Sequence, residues 1–528
     1  MFFTRDIGSN ISDFATLNRR HLLKALAGST GLYLTDSLTH AALAVPVFMN
    51  NPFGLGIASG DPSATGVVLW TKIIPEPLAP GAGIPRQRFE VEWEIATDEG
   101  MRDVVAKGME TAWPELGHAI HAEAEGLLPA RDYFYRFKVG AVRSIIGRTR
   151  TLPSAGMQGE VRFGVVGCQR YEHGFWSAYA DIAQSKPDFI YHYGDYIYEG
   201  NAVKLSSAPG RYVRELPGLP QECYSLADYR LRYAIYKSDA KLQSAHAATP
   251  FIHSFDDHEV ANDWTKDVDI KGAPKDIFLL RRAAAMQAWY EHLPVRRSSL
   301  PRGPDVQMFR RFEIGDLIRF NVLDTRQYRT GTVCKGKTTD LCPDGINEMH
   351  TMLGEHQENW LNDGFKSTAK PWTVLAQQIL MAENHSETKP DKWDRAPAAR
   401  KRLFDSIAQS NTANVVALSG DVHYGAANEL KQNFSDMKSK TLGIEFVGNS
   451  VSSHAASINV GPWGEKTKQA LPYVRHVDTR RGWTQHTVTK AAWFADFRVL
   501  NDPNDDNTKV ETARRFVVEA GSQTLSEV

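Results

Sequence analysis

The chain has 528 residues and a formal net charge of −1 at pH 7. This length exceeds what one ordinary hydrophobic core supports, so we expect two domains or one large, elaborated domain. With a net charge near zero, the chain as a whole is not expected to attract nucleic acid or an anionic membrane surface. A local basic pocket is still compatible with this charge.

The N-terminus is typical of an export signal. Arg19 and Arg20 form a twin-arginine pair, which is followed by a weakly apolar stretch and by the small-x-small cleavage signal at 42–44. Polar residues interrupt the stretch, which argues against a membrane-spanning helix. We predict a signal peptide over residues 1–44, read by the twin-arginine translocase, and a bacterial periplasmic or secreted protein. An ordinary amphipathic leader helix is the alternative, and no later segment approaches a membrane span.

The four cysteines fit an oxidising compartment only in part. Cys334 and Cys342 lie close together in a polar stretch, and they could close a small disulfide loop. The alternative is that both remain free thiols. Cys168 and Cys223 have no comparable sequence context.

The first part of the mature chain contains short strand patterns separated by turn signals. The clearest are 66–71, 89–96 and 133–139. The segment 126–129, which precedes Tyr133, resembles the corner of a fibronectin-like sandwich. In such a corner a tyrosine hydroxyl forms a hydrogen bond with the backbone a few residues upstream. We therefore predict an all-β, fibronectin-like domain over residues 50–153, with a structural or regulatory role.

After residue 153, apolar strands alternate with helical segments such as 178–184 and 279–292. This alternation favours βαβ units and a mostly parallel or mixed central sheet, and hence an α/β fold. Further strands are predicted at 318–323, 372–375 and 443–447. The segment 203–221 is rich in Gly, Pro and Ser and is predicted to be a loop.

Four predicted strands are each followed by side chains that can bind metals. Cys168 follows strand 161–166, Asp195 follows 188–193, Asp256 follows 251–255, and Asp421 follows 415–418. Open α/β sheets hold their sites at the carboxyl ends of strands. The mixture of thiol, carboxylates, phenol, imidazoles and amide predicts a multi-metal hydrolytic centre, because one ion can activate water while another neutralises phosphate oxygens.

Each group also has a simpler interpretation. Asp195 could bridge two cations, with Tyr198 one turn away, or it could be an ordinary turn residue. Cys168 could bind a metal or attack a substrate, or it could be a small buried apolar residue. The adjacent Asp256 and Asp257 would repel each other without a cation, unless one of them caps a helix.

The remaining candidates lie near these strand ends. His258 could be a ligand or a proton donor, and Asn262 could supply a neutral oxygen ligand. Asp421 and His423 are two residues apart, so on an extended strand end they would point to the same side. Each signal is weak alone, but the four groups together are specific.

In their order along the chain, the motifs resemble those of the PhoD family of alkaline phosphatases, within the metallophosphoesterases. The motifs are Cys168-Gln169, Gly194-Asp195-Tyr196-Ile197-Tyr198-Glu199, Asp256-Asp257-His258-Glu259-Val260 with Asn262 and Trp264, Leu323-Asp324-Thr325-Arg326-Gln327-Tyr328-Arg329, Gly420-Asp421-Val422-His423 and Glu445-Phe446-Val447. The resemblance covers nearly all of the mature chain. It implies a catalytic domain over residues 158–528, built as a central β-sandwich flanked by helices and preceded by the small all-β domain.

The resemblance also implies a ferric ion, calcium ions and hydrolysis of phosphomonoesters and phosphodiesters. By the same resemblance, the iron ligands would be Cys168, Tyr198, His423 and the bridging Asp195, and the further metal ligands Asn262, Asp421 and Asp257. This division agrees with the preference of calcium for carboxylate and amide oxygens over sulfur. Three positions depart from the usual pattern, with Gly167 in place of Ser, Phe255 in place of Trp and Asp263 in place of Asn.

Three residues are candidates for the catalytic groups. Besides His258, Arg170 and Arg326 could grip phosphate oxygens, although each could equally form a structural ion pair.

A second hypothesis is a phospholipase-D-type phosphodiesterase that acts on phospholipid head groups. The aromatic residues Tyr171, Phe175, Trp176 and Trp264 would suit a lipid-binding site, and they would equally suit a hydrophobic core. A third hypothesis is a non-catalytic exported binding protein.

Overall fold

The computed structural model describes residues 48–203, 214–330, 347–384, 391–454 and 460–528. The predicted signal peptide and the segment with Cys334 and Cys342 lie outside the described residues. Cys168 and Cys223 are buried free thiols. Within the described ranges, no helix combines the length and the apolar composition that crossing a bilayer requires.

The described part of the chain contains strands throughout and helices mainly in its central portion. The strands are β1 (Ile57–Gly60), β2 (Gly66–Lys72), β3 (Phe89–Ala96), β4 (Val104–Ala112), β5 (Ala119–Glu125), β6 (Asp132–Val139), β7 (Val142–Arg143), β8 (Gly147–Arg150), β9 (Val161–Val166), β10 (Phe189–His192), β11 (Phe251–His253), β12 (Arg310–Ile314), β13 (Ile318–Val322), β14 (Trp372–Ala376), β15 (Val415–Ser419), β16 (Gly425–Lys431), β17 (Thr441–Val447), β18 (Val474–Asp478), β19 (Gly482–Val488), β20 (Ala492–Leu500), β21 (Val510–Glu519) and β22 (Ser526–Glu527). The α-helices are α1 (Ser177–Ser185), α2 (Leu226–Lys237), α3 (Ala240–Ala248), α4 (Lys275–His292), α5 (Gly354–Ser367), α6 (Pro397–Ser410) and α7 (Val460–Ala470).

The strands form two large sheets and one small sheet. The ten-stranded sheet has the order β22-β21-β20-β19-β9-β10-β11-β1-β2-β5, and the seven-stranded sheet has the order β12-β13-β14-β15-β17-β16-β18. The small sheet has the order β4-β3-β6-β7, with β8 paired to β6. Strands β9, β10 and β11 are parallel neighbours, and so are β13, β14, β15 and β17.

The two large sheets pack face to face. Phe163 of β9 meets Phe320 of β13 edge to face at 5.9 Å between ring centroids. Along β14, Val374 belongs to this shared core, whereas Leu375 packs with α5 and α6 on the outer side. Successive side chains of a strand point to opposite faces of the sheet. Strand β14 therefore contacts the facing sheet on one side and the helices on the other. The predicted central β-sandwich flanked by helices is therefore present.

The N-terminal region is joined to the central sandwich through shared strands. Strands β1, β2 and β5 extend the ten-stranded sheet beyond β11, and the small sheet packs over them with a common core. In β6, the alternating Tyr133, Tyr135, Phe137 and Val139 face this core. The Leu128 amide donates to the Tyr133 hydroxyl at 2.8 Å, so the predicted tyrosine tie to the upstream backbone is confirmed. The domain boundary between 153 and 158 remains a prediction.

The strands predicted in front of the candidate ligands are confirmed as β9, β10, β11 and β15. Because they belong to two facing sheets with parallel strands, their carboxyl ends meet at one edge of the sandwich. One local expectation was wrong. Asp421 and His423 are not on an extended strand end, because they have φ values of 67° and 61° and lie in a turn beyond β15.

Candidate metal centre

Residues of the candidate site adopt an unusual backbone conformation. Positive φ values occur at Cys168 (52°), Asp195 (54°), Asp263 (54°), Asp421 (67°) and His423 (61°). Residues other than glycine rarely adopt this left-handed region, and such strain concentrates at functional sites. The loops after four different strands are therefore held in conformations that turn these side chains toward a common place.

The first group of candidate ligands surrounds one oxygen of Asp195. The Tyr198 hydroxyl donates to Asp195 Oδ2 at 2.8 Å, and Cys168 Sγ lies 3.4 Å from the same oxygen. His423 Nε2 lies 3.0 Å from the Tyr198 hydroxyl. Ligand atoms of Cys168, Asp195 and His423 all lie within 4.8 Å of one another, which is close enough to share one cation. The structure thus brings together the four residues predicted for the iron.

The orientation of His423 suits a metal ligand. Its Nδ1 lies 2.8 Å from the backbone carbonyl oxygen of His454, so Nδ1 carries the proton and Nε2 is left with its lone pair. Metal-binding histidines are commonly oriented in this way by a hydrogen bond from the other ring nitrogen. The Ser453 hydroxyl, one residue before His454, donates to Tyr198 Oη at 2.6 Å. The segment after β17 therefore positions two candidate ligands at once.

A second group consists of carboxylates from both sheets. Asp256, Asp257 and Asp421 place ligand oxygens within 4.8 Å of one another, and so do Asp257, Asp263 and Asp391. Asp257 Oδ2 accepts a hydrogen bond from the Asp263 amide at 2.7 Å. The chain turns after Asp257 instead of beginning a long helix, so the helix-cap alternative for this pair does not hold. Asp257 is the residue that these two sets of three carboxylates share.

Asp195 also approaches the second group through the histidine that follows Asp257. Ligand atoms of Asp195, Asp257 and His258 lie within 4.8 Å of one another. His258 Nδ1 lies 2.7 Å from Glu199 Oε2, and Glu199 Oε1 accepts a hydrogen bond from the backbone N–H of Asn262 at 2.7 Å. Glu199 therefore fixes the imidazole and the loop that carries Asn262.

Glu259 had no role in the sequence prediction, although it belongs to the same motif. Its carboxylate accepts backbone hydrogen bonds from Asp195 at 3.1 Å, Tyr196 at 2.6 Å and Asp256 at 2.8 Å. One buried side chain therefore holds the loop after β10 against the loop after β11. Burial raises the pKa of Glu259 to about 7, even though these three backbone donors lower it.

The two predicted arginines have different surroundings. The Arg326 side chain is completely buried, donates from Nε to Asp256 Oδ1 at 2.6 Å and pairs with Asp391 Oδ2 at 2.5 Å. The Arg170 side chain is 20% exposed, lies with its guanidinium 5.2 Å from the centre of the Tyr198 ring and donates to the Asn201 carbonyl at 3.0 Å. Arg326 thus holds carboxylates in place, and Arg170 lies at the surface of the first ligand group.

Several acidic groups of the site have raised pKa values, which bound cations would lower. Burial, reinforced by Asp195, Asp421 and Asp256, raises the pKa of the Cys168 thiol well above its ordinary value. Burial, with Asp391 and Asp257, raises the pKa of Asp263 to about 8. Acidic groups that are crowded together and desolvated resist ionisation unless positive charge compensates them.

The positively charged residues compensate only part of this acidity. Burial opposes the charged form of His258, but Asp257, Glu199 and Asp195 outweigh that effect and raise its pKa. The pKa of Asp257 falls, because His258 and Arg326 overcome the effect of burial. The pKa of Asp256 stays well above its ordinary value, because burial and the nearby Asp257 and Asp195 outweigh the effect of Arg326.

Unpartnered oxygen atoms test whether the site fits metal ions. Asp195 Oδ1, Asp256 Oδ2 and Asp257 Oδ1 are buried and have no hydrogen-bond partner. Buried polar atoms nearly always have a hydrogen-bond partner, so three buried oxygens without one in the same place indicate that a bound group contacts them. Bound cations would satisfy all three. The residues present therefore fit metal ions, with sulfur, phenol and imidazole on one side and hard oxygen ligands on the other.

Comparison with known proteins identifies the family. A model of the PhoD-like phosphatase family matches residues 163–497, and a model of the N-terminal domain of PhoD-like phosphatases matches residues 40–153. The chain is 40% identical to alkaline phosphatase D of Bacillus subtilis (strain 168) over 97% of its own length and 89% of that protein. The chain belongs to the PhoD-like phosphatase family.

Solved structures agree with the membership in this family. A structure of PhoD superposes with a TM-score of 0.86 at 41% identity, and the match covers 92% of this chain and 93% of that one. A purple acid phosphatase from yellow lupin (Lupinus luteus) seeds has a TM-score of 0.52 at 13% identity, covering 89% of this chain and 74% of the other, which shows a shared fold alone. The family predicted from the motifs is confirmed, and the PhoD-like chain is a phosphoric ester hydrolase, not a non-catalytic binding protein.

The aromatic residues considered for a lipid-binding mouth belong largely to the core of this PhoD-like fold. Trp176 and Trp264 are both completely buried. Tyr171 packs edge to face on Trp176 at 5.8 Å, and the Arg214 guanidinium covers Tyr171 at 4.2 Å from the ring centre. These contacts favour the structural alternative for these residues, and nothing in them supports a lipid head group as the substrate.

Proposed function

We propose that the protein is an exported phosphoesterase that hydrolyses phosphomonoesters and phosphodiesters at a mixed centre of Fe³⁺ and Ca²⁺. The observation that carries this proposal is the meeting of Cys168, Tyr198 and His423 with three unpartnered carboxylate oxygens at one edge of the sandwich. Thiolate, phenolate and imidazole together suit a transition metal that is a strong Lewis acid, such as a ferric ion, whereas carboxylate and amide oxygens suit calcium.

The ligand sets follow from the two groups. Cys168, Tyr198 and His423 would hold the iron, and Asp195 would bridge it to the calcium side, to which Asp257, Asp421 and Asn262 would contribute. Asp256 and Asp391 are further oxygen donors on that side, and Arg326 orients both of them. When bound, the cations would activate the attacking water and neutralise negative charge on the phosphoryl oxygens.

Two side chains of this protein would act on the substrate directly. The partly exposed Arg170 would donate hydrogen bonds to phosphate oxygens, since a guanidinium matches their geometry. His258 would donate a proton from Nε2 to the leaving oxygen, because Glu199 occupies its Nδ1 and fixes the ring. Arg326 is assigned a positioning role, because its guanidinium is buried against Asp256 and Asp391.

The experiment that tests the function is metal analysis of the purified protein, combined with assays on p-nitrophenyl phosphate and bis-p-nitrophenyl phosphate. We expect both esters to be hydrolysed, and we expect iron and calcium to co-purify. Chelation with EGTA should abolish activity before iron is lost, because calcium binds through exchangeable oxygen ligands. A protein that contains zinc alone and remains fully active after EGTA treatment would refute the metal assignment.

Replacement of Tyr198 by Phe is expected to shift or remove a visible absorption band of the metal-loaded protein. A phenolate or thiolate bound to a ferric ion gives such a charge-transfer band, and Phe removes the phenolate while preserving the ring that packs on His258 at 4.2 Å. The measurement is the absorption spectrum of the variant at matched iron content. Tyr133→Phe, which changes a tyrosine of the N-terminal region, is the control, and an unchanged spectrum for Tyr198→Phe would exclude this residue as a ligand.

We also propose the organisation of the precursor. Residues 1–44 would be a twin-arginine signal peptide, residues 50–153 a fibronectin-like β-sandwich, and residues 158–528 the catalytic domain, with the mature protein periplasmic or secreted. The twin-arginine route carries folded proteins, which suits a buried centre whose metals are inserted in the cytoplasm.

Export by this route predicts that replacing Arg19 and Arg20 by lysine leaves folded, iron-loaded precursor in the cytoplasm. The arginine pair is an address that the translocase reads, so the rest of the chain would fold and bind metal normally. Cell fractionation with iron analysis measures the outcome. Unchanged export of the double variant would contradict the assignment, and a single Arg5→Lys change provides the control.

A further inference from the structure

Tyr193 directly precedes Gly194-Asp195, and its ring lies between the two large sheets. Its amide donates to the Val166 carbonyl at 2.9 Å, which continues the pairing of β10 with β9. The residue is 1% exposed. A large side chain with a hydroxyl group is therefore buried at the edge where the candidate ligands meet.

Three glycines provide the space for this ring. Gly167 follows β9, Gly420 follows β15 and Gly448 follows β17. A Cβ atom at Gly167 or Gly420 would overlap the Tyr193 ring, and one at Gly448 would lie 2.8 Å from it. None of these three glycines has a positive φ, so the backbone conformation does not require glycine. Glycine is needed at these positions because any larger residue would collide with the Tyr193 ring.

The ring therefore contacts the loops that carry ligands from both sheets. Gly167 precedes Cys168, and Gly420 precedes Asp421. The Tyr193 hydroxyl donates a hydrogen bond to the Asn449 carbonyl oxygen at 3.4 Å, in the segment after β17. This one side chain thus lies against the backbone beside two candidate ligands and is bonded to the segment after β17.

We propose that Tyr193 is a positioning residue of the metal centre, whose ring sets the spacing between the loops of Cys168 and Asp421 and whose hydroxyl anchors the segment after β17 that contacts Tyr198 and His423. This inference rests on the proposed function insofar as Cys168 is a metal ligand. Partners behind a ligand orient it and tune its binding, and their loss typically costs about 10- to 100-fold in metal affinity or activity. A ligand carried on a loop needs such support, because a loop alone holds it less precisely than a strand.

Tyr193→Phe tests the hydroxyl, because it keeps the ring and its packing. We expect iron to be lost to a chelator about 10-fold faster than from the wild type, with the unfolding temperature of the metal-free protein almost unchanged. Tyr191→Phe is the matched control, since Tyr191 lies in β10 two residues before Tyr193, is also buried and packs on Phe320 at 5.6 Å. Equal iron retention in Tyr193→Phe and Tyr191→Phe would overturn the role of the hydroxyl.

A double-mutant cycle tests the ring. Gly167→Ala should lower the unfolding temperature and the iron content of a protein that has Tyr193, because the new methyl group overlaps the ring. In a Tyr193→Leu background the same change should cost much less, since the shorter side chain leaves room. Residues in contact show such non-additive effects, whereas independent sites add. Strictly additive effects of the two substitutions would overturn the proposed contact.

The cycle separates this inference from the proposed function. Unfolding of the metal-free protein reports the contact between Gly167 and Tyr193 even if the metals differ from those proposed. A wild-type protein without iron would refute the metal assignment and leave that coupling measurable. A coupling in unfolding temperature with unchanged retention of bound metal in every variant would show that the ring packs between the sheets without positioning the ligands, and this would overturn the inference.

Discussion

Asp195→Asn is expected to lose metal binding and phosphate ester hydrolysis together. Asp195 Oδ2 lies 2.8 Å from the Tyr198 hydroxyl and 3.4 Å from Cys168 Sγ, while Oδ1 is buried without a partner. One carboxylate therefore serves both ligand groups, and an amide supplies neither the charge nor two acceptor oxygens. Because loss of a residue behind a ligand already costs about 10- to 100-fold, we expect more than a 100-fold fall in kcat/KM.

A carboxylate at the other end of the same strand provides the control for this experiment. Asp188 immediately precedes β10 and pairs with Arg150 at 2.9 Å, away from the metal centre. Asp188→Asn removes the same charge but should retain both metals and most of the activity. Metal analysis and steady-state kinetics on the two variants decide the question. If Asp195→Asn retains its metals and near-normal turnover, Asp195 is only a turn residue.

Much of the site could be predicted from the sequence because its residues follow short apolar strands. The strands before Cys168, Asp195, Asp256 and Asp421 are buried along almost their whole length, so their continuous apolar runs stand out from the surrounding chain. A polar or reactive side chain after such a run is conspicuous. The close contact of Tyr198 with Asp195 followed from their spacing in a turn.

Other parts of the site depend on contacts between distant residues and left no local signal. Asp391 approaches Asp257 and Asp263 and pairs with Arg326, but its own sequence surroundings predict no ligand. Tyr193 could not be distinguished from an ordinary strand residue, because its function depends on three glycines that lie far apart in the chain. These features arise only when the two sheets pack together.

The junction between the N-terminal region and the catalytic region was also beyond local reasoning. Near residue 153 the sequence pattern changes from short strands to strands that alternate with helical segments, which favours a boundary there. In the structure, however, Gly60 of β1 pairs with Phe251 of β11, one of the strands that lead to the metal centre. Strand pairing over this separation depends on the order of strands in the sheet, which sequence periodicity does not specify. The N-terminal strands thus support the sheet that carries the site.

His258→Asn is expected to lower activity most strongly for substrates with a poor leaving group. In the proposed reaction, His258 Nε2 protonates the departing oxygen while Glu199 holds Nδ1 at 2.7 Å. General acid catalysis of this kind contributes about 10²- to 10⁴-fold. An alkoxide such as that of glycerol phosphate needs the proton, whereas p-nitrophenolate departs readily without it. We therefore expect a loss of at least about 100-fold in kcat with glycerol phosphate and a much smaller loss with p-nitrophenyl phosphate.

The comparison between substrates separates proton donation from metal binding, since Asp195, Asp257 and His258 lie close enough to share an ion. A ligand would be needed equally for both esters, so its loss would lower both rates by the same factor and reduce the metal content. A proton donor affects the esters unequally and leaves the metals bound. His118→Asn is the control, because His118 bonds to the Gln87 carbonyl at 2.8 Å in the N-terminal region and should tolerate replacement without loss of activity. Equal losses with both esters, accompanied by loss of metal, would make His258 a ligand and leave the leaving group to be protonated by water.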